Sequence, residues 1–323
     1  FTGRKKVCNL YKTWRNGRIL WWSKTNLKLE VYKMAITKNK QSNQTIFNMA
    51  KVAFSDKQIL EIKELPEGTC NVIYNLVFED GSESILKIAS KDRKGNTSNE
   101  INLMQAEINA ITLVKEHCSF KVPDILYYDT SKTICDGNYF FMEKMKGENF
   151  YFLLNDMPEN IIATIDKEIG KISCELTKVQ NAEFGFLGDD KRYESLFAFV
   201  KQMLKNLISD AKKRDIDILY DEQTLMTQLE NDKPVFESIK NESLVHWDMW
   251  GEPFMDDRFR MHNRRELFLE GFGQTSFSED ELKRLRWYDI ILYLTMMIEV
   301  FYREFDDKGQ YFWAREMLTK TFE

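Results

Sequence analysis

The rhythm of apolar and polar positions changes near residue 145. Before it, short runs of β-branched and aromatic residues alternate with turn signals; after it, apolar residues recur at helical spacing. Val72-Ile73-Tyr74-Asn75-Leu76-Val77-Phe78 has the composition of a strand. Asp80-Gly81 is a hairpin turn signal, and Glu83 to Ala89 is the returning strand. Successive strand side chains point to opposite faces, so Ile85, Lys87 and Ala89 share one face and Leu86 and Ile88 the other. Upstream, Ser55-Asp56-Lys57-Gln58 has capping-box form before Ile59, Leu60 and Ile62, which predicts a short helix ending before Pro66. Ile101, Met104, Ile108 and Ile111 predict a helix over 98–117, with Glu107 inside its apolar band. Two further strands are predicted, one over 122–128 and one over 138–145. The turn Asp136-Gly137 precedes the second, and Lys146-Gly147 ends the pattern. The expectation is an antiparallel lobe of four or five strands holding one helix.

The second half predicts helices over 156–178, 192–212 and 219–231, with Phe184-Gly185-Phe186-Leu187-Gly188 as a loop between the first two. Ser278-Glu279-Asp280-Glu281 is a capping box opening a long helix through Leu282, Leu285, Tyr288, Ile291, Leu292 and Met296. A last helix includes Trp313 and Met317. Between these helices, Leu244-Val245 runs into His246-Trp247-Asp248, which reads as a buried strand end delivering a carboxylate to a loop. Such a carboxylate serves as a general base when it lies within hydrogen-bond reach of a hydroxyl. In the blander reading, Asp248 and Asp256 cap turns or helices. The pattern as a whole predicts an α+β, bilobal chain: a basic arm over 1–33, an N-lobe over 34–145, and a helical C-lobe over 146–323.

Composition narrows the class. The 323 residues carry a net charge of -5, with 43% hydrophobic and 30% charged residues, an ordinary globular balance that argues against a dedicated nucleic-acid binder. The five cysteines, Cys8, Cys70, Cys118, Cys135 and Cys174, are scattered and form no Cys-x-x-Cys pair. Reduced thiols in a cytoplasmic protein without a structural zinc site are therefore expected. No run approaches the ~20 apolar residues of a membrane span, so no membrane partner is expected. Residues 1–33 hold nine Lys or Arg against one acid, Glu30, and include Trp14, Trp21 and Trp22. Basic residues among aromatics can bind single strands. The preferred reading is a non-native segment ahead of a start at Met34, so nucleic acid is not an expected partner.

Lys87 is a lone cation among apolar neighbours. It is either an edge-strand lysine snorkelling to water or an ammonium aimed at phosphates beneath the loop around Gly68. Glu107 is either a boundary carboxylate of its helix or the partner that fixes Lys87.

Together these parts resemble the aminoglycoside phosphotransferases, small-molecule kinases with a protein-kinase-like fold. Gly68-Thr69-Cys70-Asn71-Val72-Ile73-Tyr74, Asp80-Gly81 and Leu86-Lys87 are similar to the family's Gly-x-x-Asn-x-x-Tyr, Gly-turn and Leu-Lys strand. Glu107 fits its helix glutamate, and Phe140 to Gly147 its Phe-x-Met-Glu-x-x-x-Gly hinge. His246-Trp247-Asp248 resembles the His-Gly-Asp catalytic loop, with Trp247 in place of Gly. Gly251-Glu252-Pro253-Phe254-Met255-Asp256 resembles the Gly-Asp-Pro-x-x-Asp motif. The resemblance covers roughly residues 55–320 in the expected order. It implies transfer of the γ-phosphate of ATP or GTP to a hydroxyl. The backbone at Gly68 and Thr69 and the ammonium of Lys87, oriented by Glu107, would hold the phosphates. The backbone of Glu143 and Met145 would hold the base, Asp248 would be the catalytic base, and His246 and Asp256 would brace the site. Positioning and charge neutralisation carry most of such catalysis.

The sequence departs from that pattern at one join. The family places an Asn five residues after the catalytic Asp, then a hairpin ending in a magnesium-binding Asp. Here Met249 and Trp250 alone separate Asp248 from Gly251, and Pro253 stands where the Asn belongs. The metal ligands are thus absent between Trp250 and Gly251. Three explanations stand: a loop missing from the sequence as written, in which case Mg2+ is expected with the complete segment; a true deletion, giving a catalytically silent nucleotide-binding protein; or replacement of the lost ligand by Asp256 or Asp257. A Cα–Cα distance near 3.8 Å from Trp250 to Gly251 would mark a real bond. The expected acceptor is a small hydroxylated molecule, with a cationic amino sugar or amino alcohol suiting the acidic last third.

Overall fold

The computed structural model describes residues 38–65, 71–91, 95–148, 150–153, 157–181, 183–246 and 264–322, and the backbone of two short strands nearer the start. Those two, β1 (Tyr11–Arg15) and β2 (Arg18–Trp22), form an antiparallel pair with Tyr11 opposite Trp22.

An antiparallel five-stranded sheet follows, built from β3 (Ile59–Leu65), β4 (Val72–Phe78), β5 (Glu83–Ile88), β6 (Ile125–Asp129) and β7 (Tyr139–Glu143) in the order β3-β4-β5-β7-β6. The predicted hairpin is present. Asp80 closes its turn by accepting from the backbone N–H of Ser82 at 2.8 Å, and Gly81 takes φ 77, a left-handed conformation that glycine adopts without strain. Helix α2 (Leu103–His117) buries Met104 and Val114.

One element is of the other type. Residues 59–65 are a strand, not the helix that the apparent capping box at Ser55 predicts, because pairing with β4 in register (Glu61 opposite Val77, Leu65 opposite Ile73) overrides that local signal. The helix of this region lies earlier, in α1 (Asn43–Ala53), where Ser42 caps by accepting from Thr45 N–H at 3.1 Å. Its Ile46, Met49 and Ala50 join Val72, Leu76, Phe78, Leu86 and Phe141 in one core.

The second half is helical: α3 (Phe150–Leu153), α4 (Glu159–Leu176), α5 (Leu196–Lys213), α6 (Glu222–Asn231), α7 (Lys233–Glu237), α8 (Arg264–Phe272), α9 (Glu279–Tyr302) and α10 (Gly309–Phe322). A short ribbon, β8 (Gln180–Asn181) with β9 (Glu242–Ser243), joins two distant parts of it. The capping box at Ser278 and Glu281 is formed in full. Trp287, Ile290, Ile291, Leu294 and Met297 of α9 make a second core with α5, α6, α7 and α10. Helices α4 and α8 cross through paired glycines. A Cβ on Gly170 would meet the Phe268 carbonyl at 2.1 Å, and one on Gly271 the Lys167 carbonyl at 2.0 Å, so neither position accepts a side chain without separating the helices.

Candidate active site

Lys87 lies on the central strand of the sheet, with β4 on one side and β7 on the other, so it is not an edge-strand lysine. It belongs to a row that crosses the sheet: Leu65 opposite Ile73, Ile73 opposite Lys87, and Lys87 opposite Phe140. Leu65 and Val72 are the described strand ends that flank Pro66–Cys70; Leu65 lies in this row and Val72 one residue from it. Gly68 and Thr69 themselves fall outside the described residues.

The Lys87 ammonium donates to Glu107 Oε1, a direct ion pair between β5 and α2. Both groups are half-buried, with 19% and 29% of their side chains exposed, so the pair is neither sealed in a core nor dissolved in solvent. The ammonium also stands 5.9 Å from the ring centre of Phe140, which is fully buried. An ammonium carries three donors; a carboxylate at one of them and partial exposure at the head together leave an approach for an anionic ligand.

At the far end of β7, Glu143 donates its backbone N–H to the Asp124 carbonyl at 2.8 Å, and its side chain accepts from Lys121 at 2.7 Å. That ammonium holds the Glu143 carboxyl below its usual range. Met145 follows the strand and is exposed.

On the helical side, β9 leads toward His246. Glu242 pairs with Asn181, and Leu244 N–H donates to the Val179 carbonyl at 2.9 Å. The expected buried strand end is shorter than its apolar residues suggest: β9 stops at Ser243, Leu244 is half-buried, and Val245 and His246 are exposed. Paired edges end where the partner strand ends, and β8 holds two residues. Asp248, Asp256 and the Trp250–Gly251 join lie outside the described residues.

Several residues with no local signal connect these parts. Asn109 Nδ2 donates to the Leu187 carbonyl at 2.8 Å and Asn102 Nδ2 to the Gly188 carbonyl at 3.0 Å, tying α2 to the loop before α5. Gly185 N–H in that loop donates to Glu242 Oε1 at 2.9 Å, and burial raises the Glu242 carboxyl above its ordinary value. A continuous set of contacts therefore runs from Lys87 through Glu107, α2 and the loop to the strand that leads to His246. Among the described residues no group of three or more His, Cys, Asp or Glu is placed to hold a metal ion. No helix among them is long and apolar enough to cross a membrane.

A half-buried Lys–Glu pair thus joins an antiparallel sheet to a helix, ahead of a helical half, in an α+β bilobal arrangement. No family model matches the chain, and no curated protein matches it. Solved structures do. The ADP-bound aminoglycoside phosphotransferase APH(2″)-Ib superposes with a TM-score of 0.52 at 15% identity, covering 87% of this chain and 98% of its own. The GDP and kanamycin complex of APH(2″)-IIIa gives 0.53 at 13%, covering 85% and 97%. A candidate fructosamine-3-kinase from Thermobifida fusca gives 0.53 at 11%, covering 87% and 99%. The fold is thus the one found in the aminoglycoside phosphotransferases.

Proposed function

We propose that the chain is a small-molecule kinase that moves the γ-phosphate of ATP or GTP to a hydroxyl of an aminoglycoside or another amino sugar or amino alcohol. The observation that carries this reading is the Lys87–Glu107 pair, placed at the strand ends flanking the Gly68 segment. Relatives in fold that are held with ADP, or with GDP and kanamycin, support a nucleotide and a cationic acceptor.

In this reading residues 34–145 form the nucleotide lobe and residues 146–323 the lobe with the catalytic loop and the acceptor. The Gly68 and Thr69 amides approach the phosphates, and Lys87 neutralises part of their charge while Glu107 fixes its head. The Glu143 N–H is spent on Asp124, so Glu143 meets the base through its carbonyl and Met145 through its N–H. Asp248 accepts the acceptor's hydroxyl proton, and His246 and Asp256 brace its loop. A cytoplasmic location goes with this function, because the phosphoryl donor is supplied there.

A second reading rests on the short join after Asp248, which lacks the two residues that hold metal in related catalytic loops: a nucleotide-binding protein of the same fold without transfer. Assaying ADP release with Mg2+ and a panel of hydroxylated amines and sugars separates the two. The kinase reading expects acceptor-dependent release, reduced about 10²- to 10⁴-fold by Asp248→Asn. ATP binding without release for any acceptor supports the second reading.

A further inference from the structure

Helix α2 carries Glu107, yet it buries two residues, Met104 and Val114, along its fifteen. Its Ile108, Ile111 and Leu113 are half-buried. The residues just before the helix are held by the helical half. Ser98 donates twice to Asp210 of α5, from its backbone N–H to Oδ2 at 2.5 Å and from Oγ to Oδ1 at 2.6 Å. Asn206 Nδ2 donates to Asn99 Oδ1 at 2.8 Å, and Asn99 Nδ2 to the Met203 carbonyl at 3.2 Å. Arg303, at the end of α9, pairs with Glu100 and, at 3.2 Å, with Glu299. Glu100 also accepts from Thr97 N–H at 2.7 Å, which closes the segment onto itself.

These groups are shielded from water. Asp210 is 1% exposed and Arg303 4%. Lys213 at 3.0 Å balances Asp210, Tyr302 donates to the Asp210 carbonyl at 3.3 Å, and Gln310 donates to Glu299. Buried charges hold their geometry tightly because any displacement leaves one of them unpaired. Directly after this cluster, Asn102 takes φ 43, a left-handed conformation, and α2 begins. The clamp thus sits at the point where the chain turns into the helix.

We propose that Asp210 and Arg303 are positioning residues: they fix the start of α2 to the helical half and thereby set where Glu107 holds Lys87. The inference rests on the phosphotransferase reading for its functional consequence and on the clamp geometry for its structural one. In the resulting machine the nucleotide-side pair is aligned by the lobe that carries the acceptor. The sheet supplies Lys87, and the helices decide where its carboxylate stands.

The test compares the full chain with Glu100→Gln and Ser98→Ala by hydrogen exchange, and measures ATP affinity for each variant alone and combined with Glu107→Gln. Expected are amides of α2 exchanging about tenfold faster while those of β4, β5 and α9 keep their protection. Expected too is an ATP affinity about five- to tenfold weaker with Glu107 present but changed less than about twofold in the Glu107→Gln background, since the clamp acts through that residue. Should Glu100→Gln fail to fold, Ser98→Ala carries the test, since it leaves every charge in place. Unchanged α2 exchange, equal acceleration throughout, or fully additive losses in affinity would overturn the proposal. A wild-type chain that binds no ATP would refute the phosphotransferase reading, and the exchange pattern would still decide the clamp.

Discussion

Glu107 in helix α2 and Glu100 just ahead of it sit in opposite surroundings. Glu107 meets Lys87 in a single pair that keeps 19% to 29% of its side chains exposed. Glu100, seven residues earlier, meets Arg303 in a cluster where the cation is 4% exposed and is shared with Glu299. A half-exposed pair contributes little to stability and remains open to a ligand. A sealed cluster offers nothing to a ligand, but its loss leaves charge in a dry interior. The difference separates a pair open to a ligand from a cluster that holds the fold, within seven residues of chain.

Substitutions at the two clusters should therefore part company. Arg303→Met leaves Glu100 and Glu299 without their cation and should cost about 3–5 kcal/mol in urea unfolding. Lys87→Met should cost about 1 kcal/mol or less in the same experiment. Similar losses for both would erase the distinction.

A smaller effect sharpens it by pH. Burial raises the Glu299 carboxyl above its ordinary value, against the lowering influence of Arg303. The folded chain then holds a proton there that the unfolded chain has already given up. The resulting contribution is fully present below the ordinary glutamate value and is lost as pH rises through the folded one. Glu299→Gln should flatten that decline, read as midpoint against pH from 4 upward; an unchanged slope would place the titration elsewhere. The smallest effect is a control away from both clusters. Ser82 and Lys57 hold Asp80 down at about 2. The turn's support is thus present above the ordinary aspartate value and lost as pH falls through about 2. Asp80→Asn should remove that acid dependence and leave ATP binding untouched.

How far the sequence reveals all this depends on the range of the interaction. The hairpin of β4 and β5 is legible because alternation and Asp80-Gly81 are local signals, and Lys87 stands out against its own strand. Residues 59–65 mislead because Ser55 to Gln58 imitate a cap, while the strand is decided by partners eight to nineteen residues away in β4. Helix α1 has its signal in Ser42, Ile46, Met49 and Ala50, diluted by the polar residues around them. Of the two readings of Glu107, the structure has the one that pairs it with Lys87. The clamp gave no warning: Glu100 and Arg303 are 203 positions apart, and only the Glu299–Arg303 spacing of one helical turn hints that two charges share a face of an apolar helix.

If the Lys87–Glu107 pair serves a nucleotide phosphate, calorimetric titration of ATP into the wild-type chain and into Lys87→Met will show it. Loss of a charge-assisted contact to phosphate should weaken binding at least about tenfold while the unfolding midpoint stays close to wild type. Equal affinity in the two proteins would contradict the account.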